Sequence, residues 1–288
     1  DIKTGECLNT LKKSYSSGVN SVAIAHYGKY IISASKDSLI KIWNIKTGKY
    51  LNTFKGHNDS VTSVTITPDS KYIVSGSYDN TIKIWDIKTG KCINTLKGHS
   101  RHVEIVKLTS NGKKIVSGSD DNTIMIWDIK TGECLSILNV HADDTSSISI
   151  TTDDKYIVLG SYDTIFRILD IKTGKCLNTF EGHNGSVTSV TITADGKYIV
   201  SGSLDNTIKI WDIKTGKCLN TFAGHNNFVN SIITSPDVKY IIVGCDDNKI
   251  KVFDFQTGKC INTFENHTGS VTSLAITPDS RYIVSGSL

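Results

Sequence analysis

The chain has 288 residues, 38% of them hydrophobic and 21% charged, with a formal net charge of +4. That balance suits a globular protein with a sizeable core and argues against a dedicated nucleic-acid binder, which would be far more basic. No apolar run is long enough for a membrane-spanning helix, so no membrane partner is expected.

The chain opens on Asp1-Ile2-Lys3-Thr4-Gly5, without an initiator Met or the apolar stretch of a signal peptide. The same phrase recurs from Asp86, Asp128, Asp170 and Asp212, with looser copies from Asn44 and Asp254, a period of 42. A fixed period of this length marks a repeat architecture. Because the opening matches an interior piece of the repeat, residues 1–288 are expected to be one domain cut from a longer protein.

Each unit reads as four short strands separated by turns. In the clearest unit they cover residues 60–67, 71–77, 81–85 and 92–96, rich in Val, Ile, Thr and Trp. Between them lie Pro68-Asp69-Ser70, Tyr78-Asp79-Asn80, the stretch from Asp86 to Gly90, and Gly98-His99, each with turn chemistry. The only prolines, Pro68, Pro236 and Pro278, fall in one equivalent turn, where a missing N–H costs no ladder bond. Tyr72-Ile73-Val74 is a continuous apolar run, as expected of a strand covered on both faces. A four-stranded sheet buries both faces by radial stacking of copies, the arrangement of a β-propeller.

Six of the seven cysteines, Cys7, Cys92, Cys134, Cys176, Cys218 and Cys260, share one repeat position. One thiol per blade does not bring Cα atoms within disulfide reach. They are expected to be free, half-buried apolar residues, in a reducing, cytoplasmic setting.

The Gly56-His57 opening and the Trp85-Asp86 closing, repeated at fixed offsets along the whole chain, resemble WD (WD-40) repeats. The resemblance implies an all-β, seven-bladed propeller of four-stranded antiparallel blades, with strands a to d running outward from the axis. The sequence offers seven copies of strands a, b and d but six of c. The last blade is therefore expected to lack strand c and to be closed by the N-terminal strand at residues 7–11, outside the strand at 282–287. The ring is expected to be monomeric unless that open blade pairs with another chain.

The resemblance also implies a hydrogen-bonded His-Ser-Asp-Trp tetrad within a blade. It maps to His57-Ser75-Asp79-Trp85, His99-Ser117-Asp121-Trp127 and His183-Ser201-Asp205-Trp211. Satisfying a buried indole N–H, hydroxyl and imidazole gives these residues a structural role rather than a catalytic one. Where the fourth unit has Leu159 and Leu169, and the sixth Val243 and Phe253, the Ser and Trp are lost together. The first unit has Tyr15 at the His position, beside Ser33, Asp37 and Trp43. No Cys-x-x-Cys or His-x-x-x-His spacing suggests a metal site, no phosphate-cradling loop appears, and no cofactor is expected. His26 and His102 stand outside the tetrads as surface residues.

Partners of WD-repeat propellers dock on the face carrying the d–a loops and b–c turns. Three tip positions per blade point there: two flanking the first Val of strand a, and one before the tetrad Asp. Those expected to bind a protein or peptide are Lys36, Tyr78, His102, Glu104, Asp120, Asp144, Tyr162, Leu204, Phe228 and Asp246. Tip positions vary between units more than the frame does, and aromatic residues there are natural anchors. The opposite face gathers lysines such as Lys71, Lys88, Lys91, Lys130 and Lys214, as a solubilising rim. A non-enzymatic interaction scaffold or sensor is the leading reading. The alternative is a propeller enzyme or small-ligand binder using the central channel, for which Glu104, Asp120, Asp144 and Asp246 are scattered acids.

Overall fold

The computed structural model describes residues 1–11, 17–25, 28–140, 145–223 and 227–288. Twenty-six strands and no helix appear among them, so none of the described residues forms a helix able to cross a membrane. The chain divides into two compact units, residues 7–141 with 288, and residues 1–6 with 142–287.

The first unit holds three blades, each a four-stranded antiparallel sheet in chain order. Blade 1 is β1 to β4 (Val19–Ile24, Tyr30–Ser35, Ile40–Asn44, Tyr50–Phe54). Blade 2 is β5 to β8 (Val61–Ile66, Tyr72–Ser77, Thr81–Asp86, Cys92–Lys97), and blade 3 is β9 to β12 (Val103–Leu108, Lys114–Ser119, Thr123–Asp128, Cys134–Asn139).

The second unit holds blade 4, β13 to β16 (Thr145–Ile150, Tyr156–Ser161, Phe166–Asp170, Cys176–Phe180), and blade 5, β17 to β20 (Val187–Ile192, Tyr198–Ser203, Thr207–Asp212, Cys218–Ala223). Blade 6 is β21 to β24 (Val229–Thr234, Tyr240–Cys245, Ile250–Asp254, Cys260–Phe264). The last sheet has two strands, β25 and β26 (Val271–Ile276, Ile283–Ser287).

Residues 7–11, expected as an outer strand, join no ladder. Among the described residues they form no strand, so that part of the expectation is corrected. The turn that precedes them is formed. Ile2 N–H donates to Arg281 O at 3.0 Å, as Ile87 N–H donates to Lys71 O at 3.0 Å in blade 2. Ile2 is buried with Ile242, Ile250, Val252, Val271 and Leu274.

The Asp-x-x-Thr-Gly phrase explains itself in this turn. Asp86 Oδ1 accepts the Thr89 N–H at 2.7 Å and its hydroxyl at 2.8 Å, and Gly90 N–H closes on Asp86 O at 2.9 Å. Gly90 has φ +72°, a left-handed conformation that glycine adopts without steric cost. The same bonds hold the Asp86 carboxyl below the usual carboxylate range, the Thr89 N–H being the largest contributor.

The core lies between blades. Phe54, Val61, Ile73 and Trp85 join blades 1 and 2; Val74, Val103, Met125 and Trp127 join blades 2 and 3. Phe166, Phe180, Val187 and Trp211 do so for blades 4 and 5, and Ile208, Phe222, Val229 and Phe253 for blades 5 and 6. Middle strands are buried on both faces, whereas outer strands such as β8 begin on exposed residues. The six cysteines at that repeat position are exposed, not half-buried as expected; Cys92, Cys134, Cys176, Cys218 and Cys260 occupy the first residue of an edge strand, and Cys7 lies in residues 7–11. All seven cysteines are free, and Cys245 is buried. The Cys92 thiol turns back toward Asn94 O at 3.2 Å.

Candidate functional site

Three blades contain a complete relay from strand c to the b–c turn. Trp85 Nε1–H donates to Ser75 Oγ at 2.8 Å, Ser75 Oγ lies 2.7 Å from His57 Nε2, and His57 Nδ1 lies 2.8 Å from Asp79 Oδ2. Because the indole can only donate and the carboxylate can only accept, the protons run one way, Trp to Ser to His to Asp. His99-Ser117-Asp121-Trp127 and His183-Ser201-Asp205-Trp211 repeat it at 2.7–2.9 Å. Burial would raise the Asp79 carboxyl, but bonds from His57, Thr81 and the Asn58 N–H outweigh it and hold the pKa far below the carboxylate range. Burial pushes His99 and His183 below the ordinary imidazole value.

This constellation has the residue types of a hydrolytic triad without the access of one. Ser75, Ser117 and Ser201 are fully buried, and each Oγ already receives an indole N–H. No face of the hydroxyl is open to a substrate carbonyl.

Blade 1 keeps the Trp43 to Ser33 bond at 2.9 Å; Tyr15 lies outside the described residues. His267 Nε2 meets Ser285 Oγ at 2.7 Å in the last sheet. In blade 4, Leu159 and Leu169 are buried in place of the Ser and Trp, and Arg167 Nη2 donates to Asp163 Oδ2 at 2.7 Å. In blade 6, Val243 and Phe253 are buried. His26, His141 and His225 lie outside the described residues.

The tips are built by a feature that the sequence did not reveal. Strand a of every blade carries a register shift immediately after its first residue. The extra residues are Asn20, Thr62, Glu104, Ser146, Thr188, Asn230 and Thr272, the second tip position of each blade. A β-bulge bends the strand and re-aims a side chain. The first and third tip positions are joined by a backbone bond: Lys36 N–H to Gly18 O, Tyr78 to Ser60, Asp120 to His102, Leu204 to Ser186, and Asp246 to Phe228, at 3.0–3.2 Å.

Within the first unit the tips of blades 2 and 3 converge. The Tyr78 and His102 rings stack with centroids 4.3 Å apart and planes at 21°. His102 Nδ1 lies 3.6 Å from Asp120 Oδ2, and His102, Glu104 and Asp120 bring three ligand-capable atoms within 4.8 Å of one another. Close sequence spacing does not reveal this set, which is spread over a strand and a turn. Lys36 is exposed beside Gly18, apart from that cluster.

Within the second unit, Ser186 Oγ donates to Tyr162 O at 3.0 Å, and Ser270 Oγ bonds Asp246 Oδ1. Tyr162, Ser186 and Leu204 thus form one linked group, and Phe228, Asp246 and Ser270 another. Tyr78, Tyr162 and Phe228 are 38%, 50% and 43% exposed, large values for aromatic rings. Asp144 lies outside the described residues.

A family model described as WD domain, G-beta repeat matches residues 5–44, 48–86, 90–128, 132–170, 174–212, 216–254 and 258–288. The chain belongs to the WD-repeat family. No curated protein matches it. WD-repeat propellers generally serve as non-enzymatic scaffolds that bind proteins or peptides. Each WD repeat here begins at the glycine of the c–d turn, so each of the five middle repeats contains the outer strand of one blade and the inner three of the next. The three complete tetrads fall on the second, third and fifth of these repeats, and repeats four and six carry the apolar replacements.

Proposed function

We propose that this WD-repeat chain is a non-catalytic interaction module whose blade tips hold a protein or peptide partner. The observation that carries the reading is the bulge at the start of every strand a, which sets a variable side chain on an otherwise uniform frame. Exposed rings at Tyr78, Tyr162 and Phe228 supply anchors with few rotamers to immobilise. The reading takes residues 1–288 as a single, monomeric domain. The free, exposed thiols favour a reducing, cytoplasmic setting.

The test is selection of peptides from a random display library against the intact chain. Selected peptides are then measured against Tyr78→Ala, Tyr162→Ala and Phe228→Ala, each made separately. At least one variant should weaken binding about tenfold or more, since an aromatic anchor contributes about 2 kcal/mol. Equal binding by all three would move the site to the lysine-rich turns or the outer strands.

A further inference from the structure

We propose that the outer edge of blade 3 docks an extended, basic segment of another protein, which adds to β12 as a fifth strand. This surface is separate from the blade tips and does not depend on them. Among the described residues β12 is the terminal strand of its sheet, paired with β11 alone. Val140 N–H donates to Asn122 O at 3.2 Å, which turns that residue's bonding groups inward, toward the b–c turn. Backbone groups alternate in direction along an antiparallel strand. Ile137 and Asn139 therefore turn theirs outward, where main-chain bonds to a further strand can form.

Lysines guard the other outer strands against such pairing. Lys49 and Lys55 flank β4, Lys91 precedes β8, which ends on Lys97, and Lys175, Lys217 and Lys259 precede β16, β20 and β24. β12 instead follows Glu133 and ends on Asn139. Its blade departs again one strand further in. Lys83 Nζ donates to Thr95 Oγ1 across blade 2, and Lys209 Nζ to Thr221 Oγ1 across blade 5, each at 3.0 Å. In blade 3 the equivalent pair is Met125 opposite Ile137. Met125 is buried, whereas Ile137 is 56% exposed. Every other described outer strand exposes one large apolar side chain, at the position of Ile93; β12 exposes both Leu135 and Ile137. Leu138 and Val140 are buried, so exposure alternates and the two apolar side chains present together.

The lost lysines and the gained acid specify the occupant. A strand laid antiparallel to β12 needs apolar side chains at two alternate positions, to cover Leu135 and Ile137. It also needs a lysine or arginine after them, at the end that meets the exposed Glu133 carboxylate. A second copy of this chain fits less well. Its other outer strands bring one exposed apolar side chain, and its β12, laid antiparallel, would bring Asn139 to Glu133 instead of a cation.

The probe is the peptide acetyl-Ser-Val-Thr-Ile-Thr-Arg-Ser-amide, titrated into the intact chain while amide hydrogen exchange is followed by NMR. Exchange at Ile137 and Asn139 should slow saturably, while Leu138, whose N–H points into the blade, holds steady. Ile137→Thr installs the residue that β8 carries there and should weaken binding about tenfold or more, with an unchanged urea midpoint to verify the blade. Glu133→Lys should reverse the charge preference, favouring the same peptide with Glu in place of Arg. N-methylation of the peptide's Val removes a main-chain donor and should abolish binding. Absence of saturable protection, equal binding of the N-methylated peptide, or unchanged affinity in both variants would overturn the assignment. So would a dimer in sedimentation equilibrium that Ile137→Thr dissociates, since a second copy would then hold the edge. Peptide binding lost in Tyr78→Ala but kept in Ile137→Thr would refute the edge site and leave the tip reading standing.

Discussion

Replacing Trp85 with Phe tests the relay through its least accessible bond. The indole Nε1–H, 2.8 Å from Ser75 Oγ, is the donor that the hydroxyl receives while directing its own proton to His57. Ser75 is fully buried and Trp85 is 1% exposed, so water does not replace the lost donor without a cavity to hold it. Leaving that acceptor unmatched costs about 1–3 kcal/mol. The smaller ring, in a site packed by Phe54 and Gly56, adds a cavity contribution on the order of 1 kcal/mol. A loss of about 2–4 kcal/mol is expected in urea titrations followed by far-UV circular dichroism. The double variant Ser75→Val/Trp85→Phe recreates the pair found at Val243 and Phe253 in blade 6. Removing both partners avoids the unmatched group, so the double variant should lose at least about 1 kcal/mol less than the sum of the single losses. Strict additivity, or an unchanged midpoint for Trp85→Phe, would refute the relay as a brace.

The buried imidazoles make stability depend on pH. Burial lowers the pKa of His99, His183 and His267 below 6.5, so protons bind the unfolded chain more readily. Melting temperature should hold above pH 6.5 and fall as the pH drops below it; Asp79, Asp121 and Asp205, also lowered, add a further loss below their ordinary 3.8. A flat melting temperature between pH 7.5 and 5 would contradict this (test values of pH, on the order of the histidine range). Arg167→Ala removes the partner of Asp163, whose side chain is only 19% exposed, and should cost about 1–2 kcal/mol by urea titration. Lys83→Ala, which removes a surface bond to Thr95, should cost less than half as much. Gly202→Ala places a methyl 2.4 Å from Val229 Cγ1 and 2.5 Å from Ile232 Cδ1, and should destabilise by about 1–3 kcal/mol. An unshifted midpoint would show that the two blades can separate without loss.

The strands and turns were legible because each depends on residues close in sequence. Asp86, Thr89 and Gly90 form their own turn, and the strands fall within a residue or two of the expected bounds. The tetrads were legible through repetition, since Ser, Asp, Trp and His return at fixed offsets and disappear in pairs. The bulges were not, because Thr62 and Thr65 look alike in sequence and only pairing against β6 shows which one is extra. Nor was the meeting of Tyr78 with His102, which joins successive repeats, or the bond from Arg167 to Asp163. The cysteines were misjudged because β-strand apolar character does not distinguish a middle strand from an edge.

The uniform c–d turn also bears on how such a chain can change over generations. The bonds from Asp86 to Thr89 and Gly90 lie within Asp-x-x-Thr-Gly, so a DNA crossover between two copies of the phrase would leave those bonds as before. The sequences VTSVTI of β5 and β17 are identical, so the neighbours of such a joint would also find familiar packing partners. Exchange at these points would reshuffle Tyr78, Tyr162 or Phe228 among the blades while the relays and interblade cores were inherited intact. Unequal crossover at a single turn is thus a route by which this lineage could acquire a new tip combination in one genetic event, without a run of destabilising intermediates.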